Sequence, residues 1–289
     1  MKIQLLTKDQ FARFARLVYD RTGIFLAEGK RTMLSNRLRR RLRALDLPDF
    51  DAYYDLMRVP KKSDAELSHF LAAVTTNETY FFRNPRLWAF FAEKWLPEFV
   101  KKNARGTKSL NIWSAAASSG EEAYTAAIVL RENLPNFSSW NVTIRGTDIS
   151  ESMLEKARGG LYADYAVSRM EPERVKRWFD HDENGYQLKD KVRKMVRYEF
   201  HNLRDSFAKN RFDFILLRNV LMYFDTPMKQ RVIDVVSEAL APGGTLFVGD
   251  VDPIRTCQDL MKSLPLEVGP PALYLKPGGV AAHAAGSGR

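Results

Sequence analysis

The chain has 289 residues, 45% hydrophobic and 28% charged, with 16 Gly, 13 Pro and one Cys, which excludes collagen-like, disulfide-rich and disordered classes. The lone thiol, Cys257, can close neither an internal disulfide nor a cysteine metal cluster, and no stretch reaches the roughly 18 uninterrupted apolar residues of a membrane span, so a soluble cytoplasmic protein is expected. A formal charge of +10 favours anionic partners, and residues 1–75 hold 15 Lys and Arg against 9 Asp and Glu, a net +6, so the front end should meet the anion.

Residues 1–75 read as helices. FARFARLVYDRTG and KRTMLSNRLRRRLRAL repeat apolar positions at helical spacing, with Pro48 and Pro60 as punctuation and no strand alternation. From about residue 110 short β-rich runs alternate with helical patterns. LNIWSAAA, EEAYTAAIVLREN, WNVTIRGTDI and ESMLEKARG come first, then FDFILLRNV, PMKQRVIDVVSEAL and GTLFVGDV. That alternation predicts parallel βαβ units, a doubly wound sheet and a Rossmann-like α/β class. Between the halves, residues 180–200 carry a turn-prone Asn184-Gly185 and roughly alternating apolar and charged positions, which suits a small antiparallel β insertion. PGGVAAHAAGSGR at the end has too little large apolar content to pack and reads as a loose tail.

In IWSAAASSGEEAYTAAIVL a buried strand ends in small residues and Gly120, and a helix opens with Glu121 and Glu122. Small residues permit close approach of a ligand, and acids at a helix start suit a cationic or hydroxyl-bearing one. Two carboxylates would repel a pyrophosphate, and the spacing fits neither a dinucleotide fingerprint nor a P-loop. Asp148 follows the second predicted strand, where doubly wound folds place an acid on ribose hydroxyls. S-adenosylmethionine, with a ribose, a sulfonium and an ammonium but no phosphate, fits that pattern best. Taken singly, each acid also reads as an ordinary cap or turn residue; together, at successive strand ends, they favour a site. FILLRNVLMYFD ends a third strand with Arg218, Asn219 and Tyr223, polar groups that need partners there.

TTNETYFFRNP (75–85), WSAAASSGEEAYTAAIVL (113–130), GTDISESMLEKARGGLY (146–162) and FDFILLRNVLMYFD (212–225), with LAPGGTLFVGD, resemble the chemotaxis receptor glutamate O-methyltransferases of the CheR type. The resemblance runs from the helical front end to about residue 277. It implies a class I S-adenosylmethionine-dependent methyltransferase fold, divided into a helical receptor-recognition domain (1–75), a cofactor-contacting linker (76–108), a Rossmann-like domain (109–277, β-subdomain at about 180–200) and a tail (278–289). It also implies S-adenosylmethionine as donor, S-adenosylhomocysteine as product, no metal, and glutamates of a chemoreceptor's cytoplasmic helical bundle as acceptors. Carried over by position, the cofactor contacts fall on Asn77, Thr79, Arg83, Glu122, Asp148, Asn202, Leu203, Asn219 and Val220. Arg83 and Tyr223 match residues beside the transferred methyl. The sequence departs from the family at Gly249-Asp250-Val251-Asp252, where many members have Gly-His-Ser-Glu. Its β-subdomain also looks short beside those of members that grip a receptor-tail pentapeptide, which implies independence of that tether.

A glutamate carboxylate is ionised near neutral pH, so the reaction needs no general base, in keeping with four histidines that form no recognisable catalytic pairing. Arg83 would hold an acceptor carboxylate or the cofactor, and Tyr223 would orient the methyl group. From Lys30 to Arg43 there are seven Lys and Arg and no acid, with Leu34, Leu38, Leu42 and Leu45 on one helical stripe. A solvated basic face is the bland reading and nucleic acid the rival partner. The resemblance favours the acidic receptor bundle, with Arg37, Arg40 and Arg41 as its contacts, no membrane insertion and a monomeric enzyme. The competing functions are an RNA methyltransferase and a non-catalytic module that senses S-adenosylmethionine or S-adenosylhomocysteine.

Overall fold

The computed structural model describes residues 5–59, 62–75, 77–104, 106–249, 267–269 and 273–276. The front end is helical: α1 (Lys8–Thr22), α2 (Arg31–Ala44), α3 (Phe50–Arg58) and α4 (Lys62–Val74). Thr7 and Gln10 form a reciprocal capping box that starts α1, and Gly23, left-handed at φ +78°, ends it. Asp49 caps α3 through the amide of Ala52. The leucines of the α2 stripe, Leu34, Leu38 and Leu42, are buried among Phe14, Tyr53, Met57 and Phe70.

Among the described residues, the remainder is built on ten strands. They are β1 (Ser109–Ala115), β2 (Asn141–Asp148), β3 (Leu161–Tyr162), β4 (Phe179–Asp182), β5 (Gly185–Leu188), β6 (Val196–Phe200), β7 (Phe212–Leu217), β8 (Leu240–Val248), β9 (Glu267–Gly269) and β10 (Leu273–Leu275). The main sheet has the order β6-β2-β1-β7-β8-β10-β9, parallel from β6 to β8, with β10 antiparallel to both of its neighbours. This is the Rossmann-like class I arrangement. The order reverses on either side of β1, where open α/β sheets leave a ligand crevice at their carboxyl edge.

The antiparallel insertion is the three-stranded sheet β3-β5-β4, whose β4–β5 hairpin turns at Glu183-Asn184. Its boundaries differ from the expected 180–200. Residues 161–162 join it, while 196–200 form β6 and pair in parallel with β2. Alternation along RYEF fits a half-buried edge strand of either sheet, and the neighbouring strand decides between them. Of the expected tail, and of the Gly249–Asp252 departure beyond Gly249, nothing lies within the described residues.

Side chains of β1 alternate between two cores. Ile112 points to the side packed by α5 (Pro85–Phe90), α6 (Leu96–Asn103) and α7 (Glu121–Asn133), where Phe91 stacks on Trp95 and both meet Phe214 edge to face, with centroids 4.7–5.1 Å apart. Trp113 points to the other side, whose core continues without interruption into the front helices.

Candidate functional site

One cavity, about 350 Å³ in volume, opens at the carboxyl edge of β1, β2, β6 and β7, within the range of small-molecule sites. It brings together all ten residues assigned to the cofactor and the methyl group: Asn77, Thr79, Arg83, Glu122, Asp148, Asn202, Leu203, Asn219, Val220 and Tyr223.

The backbone is strained around it. Ala116, Ser118 and Asn219, just past the ends of β1 and β7, have positive φ values of 64°, 49° and 56°, and so do Phe82 and Asn84 in the linker, at 56° and 64°. Each non-glycine residue in that region costs on the order of 1 kcal/mol or more and persists only where its surroundings hold it, which is characteristic of functional sites.

Asp148 ends β2. Its two carboxylate oxygens accept the backbone amides of Ser118 and Ser150, both at 2.9 Å. Burial pushes its carboxyl above the usual range, opposed by those amides. The acid is therefore a fixed part of the wall, with further lone pairs for hydroxyl donors. Glu122 lies on the first turn of α7, where Oε1 accepts Ser114 Oγ at 2.7 Å and Oε2 pairs with Arg218 Nη1 at 2.8 Å. Its neighbour Glu121 turns away from the cavity, accepts Ser119 Oγ and is raised by burial.

Gly120 serves packing rather than ligand approach. A Cβ there would lie 2.5 Å from Tyr198 Oη and 2.8 Å from the Ala157 methyl, and the residue is left-handed at φ +96°. The small residues that face the cavity are Ala116, Ala117 and Ser118. The linker is tied to this edge by Ser118 Oγ donating to the Asn77 carbonyl at 3.3 Å. Arg83 donates to the Glu78 carbonyl at 2.8 Å and lies 5.8 Å from the Tyr80 ring centroid.

The front helices supply a wall that sequence reasoning missed. Thr22, Ile24, Phe25, Leu26, Ala27, Lys30 and Met33 line the same cavity. Ile24 bridges Phe224 in antiparallel fashion, the Phe25 amide donates to the Tyr223 carbonyl at 2.8 Å, and Tyr19 Oη donates to Asp225 at 3.1 Å. Asn202 uses its amide within the protein, donating to the Arg21 carbonyl at 3.0 Å and accepting the Arg204 amide at 3.3 Å. Nothing local in RTGIFLAE announces these contacts, because they form only between segments about 200 residues apart. Arg218 was legible as a polar residue at a strand end, but not its partners.

The basic helix is arranged differently from the expectation. Arg41 is folded inward, its fork making two 2.7 Å bonds to the buried Glu66, which also accepts Tyr53 Oη. Arg37 donates to the carbonyls of Val74 and Thr75, both at 2.9 Å, satisfying the C-terminal end of α4. Of the three arginines assigned to the receptor, Arg40 has its side chain exposed. Opposite charge and orphan carbonyls within reach turn two of the cations into structural ties, a competition that a charge run does not display.

Residues 77–269 match the family described as "CheR methyltransferase, SAM binding domain", and residues 9–75 match "CheR methyltransferase, all-alpha domain". A chemotaxis protein methyltransferase of Vibrio parahaemolyticus is 37% identical over 253 residues, covering 84% of this chain and 89% of that protein. One from Klebsiella aerogenes is 36% identical over 251 residues, 84% of this chain and 83% of that one. One from Borreliella burgdorferi is 32% identical over 266 residues, 90% of this chain and 93% of that one.

Proposed function

The chain belongs to the CheR methyltransferase family, and from that premise we propose that it transfers the methyl group of S-adenosylmethionine to glutamate side chains on the cytoplasmic helical bundle of chemoreceptors, forming glutamyl methyl esters. The observation that carries the reading is the cavity at the crossover of the sheet, whose wall holds two acidic side chains, the half-buried Glu122 and the buried Asp148, where a phosphate-bearing cofactor would be repelled.

These residues fit an adenosyl sulfonium ligand. Asp148 would accept its ribose hydroxyls, and Glu122 places negative charge on the side where a cationic ligand is favoured. Asn77, Thr79 and Arg83 would close over the ligand from the linker, while Leu203 and Val220 give apolar wall and Asn219 a polar backbone turn at the end of β7. When bound, S-adenosylmethionine supplies the electrophilic methyl group. The acceptor carboxylate arrives ionised, so the protein's work is alignment and exclusion of water rather than proton transfer. Arg83 would bind the incoming carboxylate by charge-assisted hydrogen bonds, and Tyr223, half-buried with its carbonyl held by the Phe25 amide, would orient the reacting groups.

The acceptor would approach across the rim made by Phe25 and Met222, both more than half exposed, with Arg40 on the adjoining helix meeting its acidic surface. The enzyme would act in the cytoplasm as a monomer. The β-subdomain, with strands of two to four residues, would not require a receptor-tail pentapeptide, and micromolar binding of such a peptide in calorimetry would overturn that part.

Incubation with radiolabelled S-adenosylmethionine and a receptor cytoplasmic fragment tests the central reading. Base-labile label on receptor glutamates is expected. Label on RNA, or tight donor binding with no transfer to any receptor fragment, would overturn it.

A further inference from the structure

Arg218 is the most deeply buried cation of the cavity wall, with 4% of its side chain exposed. A buried guanidinium is costly unless its donors are matched, and Nε has no partner among the described residues. The donors that are matched reach two different segments. Nη1 donates to Glu122 Oε2 at 2.8 Å, and Nη2 donates to the backbone carbonyl of Arg83 at 3.0 Å.

That second carbonyl sits in the tightest part of the linker. Phe82 and Asn84, on either side of Arg83, are both left-handed, a combination disfavoured for a bulky aromatic residue. The turn survives because it is pinned from several sides. Trp88 Nε1 donates to the same Arg83 carbonyl at 3.1 Å, the Phe82 amide donates to Thr125 Oγ1 at 3.2 Å, and Asn84 Oδ1 accepts the Leu87 amide at 3.3 Å. Trp88 and Asn84 pin the turn to α5, at its own end of the linker. Arg218 pins it to the strand end and, through Glu122, to the helix that borders the cofactor region. A planar fork can serve both partners at once, which a lysine ammonium on a single stem cannot do in the same geometry.

We propose that Arg218 is a positioning residue for methyl transfer: one buried guanidinium locks the strained turn that aims Arg83 to the Glu122 carboxylate, so that the donor-binding wall and the acceptor-facing arginine are set together. This rests on the methyltransferase reading of the cavity. Arg218 acts through Arg83, and its effect depends on the Arg83 side chain being there to aim.

The test is a double-mutant cycle in the full-length protein. Arg218→Lys keeps the charge and the pairing with Glu122 but gives up the tie to the linker. It should lower single-turnover methyl transfer at saturating donor by about tenfold or more, since small misplacements of a reacting group are costly. In an Arg83→Ala background the same substitution should lower transfer by less than about threefold, because the group it aims is already gone. Equal losses in both backgrounds, or no loss in either, would overturn the proposal, since a role in folding alone would act regardless of Arg83. If circular dichroism shows Arg218→Lys to be unfolded, Arg218→Gln takes its place in the same cycle with the same two outcomes. S-adenosylhomocysteine affinity by calorimetry reads the cycle with no acceptor present, and the same non-additivity is expected there. Absence of transfer by the wild-type protein would therefore count against the function, whereas additive losses in affinity would count against Arg218.

Discussion

The cofactor crevice and the basic helix α2 both look like charged sites in the sequence, yet they fold to opposite ends. In the crevice, Glu122 and Asp148 keep their carboxylates on the cavity wall, held by Ser114, Arg218 and two backbone amides. On α2, Arg41 and Arg37 are drawn inward to Glu66 and to the end of α4, leaving Arg40 exposed. At the crevice, the backbone places the acids at the end of β2 and on the first turn of α7, along one edge of the sheet, whatever their side chains do. On a helix surface, the nearest unsatisfied acceptor decides where a long cation goes.

Substitutions should separate these regions. The largest effect is expected from Arg41→Ala, which leaves Glu66 buried without a counter-charge and should cost about 3–5 kcal/mol of stability, read by denaturant unfolding. Little change would return Arg41 to the group of exposed cations. Next is Asp148→Ala, which removes an acid held by two amides and should weaken S-adenosylmethionine binding at least about a hundredfold in calorimetry, with the helical end still folded. Arg40→Glu should lower methylation of a receptor fragment about tenfold by charge reversal while leaving donor affinity and melting temperature unchanged. Equal loss of donor binding would mean that the two regions are not separable.

The smallest effect concerns His201, which lies between Trp113 and Phe207 at centroid distances of 5.9 and 4.6 Å. Burial lowers its pKa below the ordinary 6.5, so the unfolded chain takes up the proton first as pH falls. Stability from the neutral ring is thus present above pH 6.5 and lost on acidification through the folded-state value. His201→Phe should keep the ring contacts and flatten the fall of melting temperature with acidification.

What was legible follows from how local each determinant is. β1, β2 and β7 announce themselves as apolar runs, and their order with the intervening helices implies the sheet, hence the edge where Asp148, Glu122 and Asn219 meet. The linker residues Asn77, Thr79 and Arg83 were placed by resemblance alone, because a capped aromatic helix start has the same residue pattern. Where 196–200 would pair, where Arg41 would point and what Gly120 makes room for all depend on partners distant in sequence: β2, Glu66 and Tyr198. The wall contributed by residues 22–33 is the extreme case, since its members, mostly apolar or small with Lys30 among them, gain their role from contacts with residues about 200 positions away, such as the rung between Ile24 and Phe224.

That rung is one of several ties, with the Tyr19–Asp225 and Asn202–Arg21 hydrogen bonds and the shared core, that join the front helices to the sheet. The 23–25 segment that follows α1 is bonded directly to the short turn bearing Tyr223, so a displacement of one bears on the other. The turn is thus a joint between the two regions as well as part of the cavity wall.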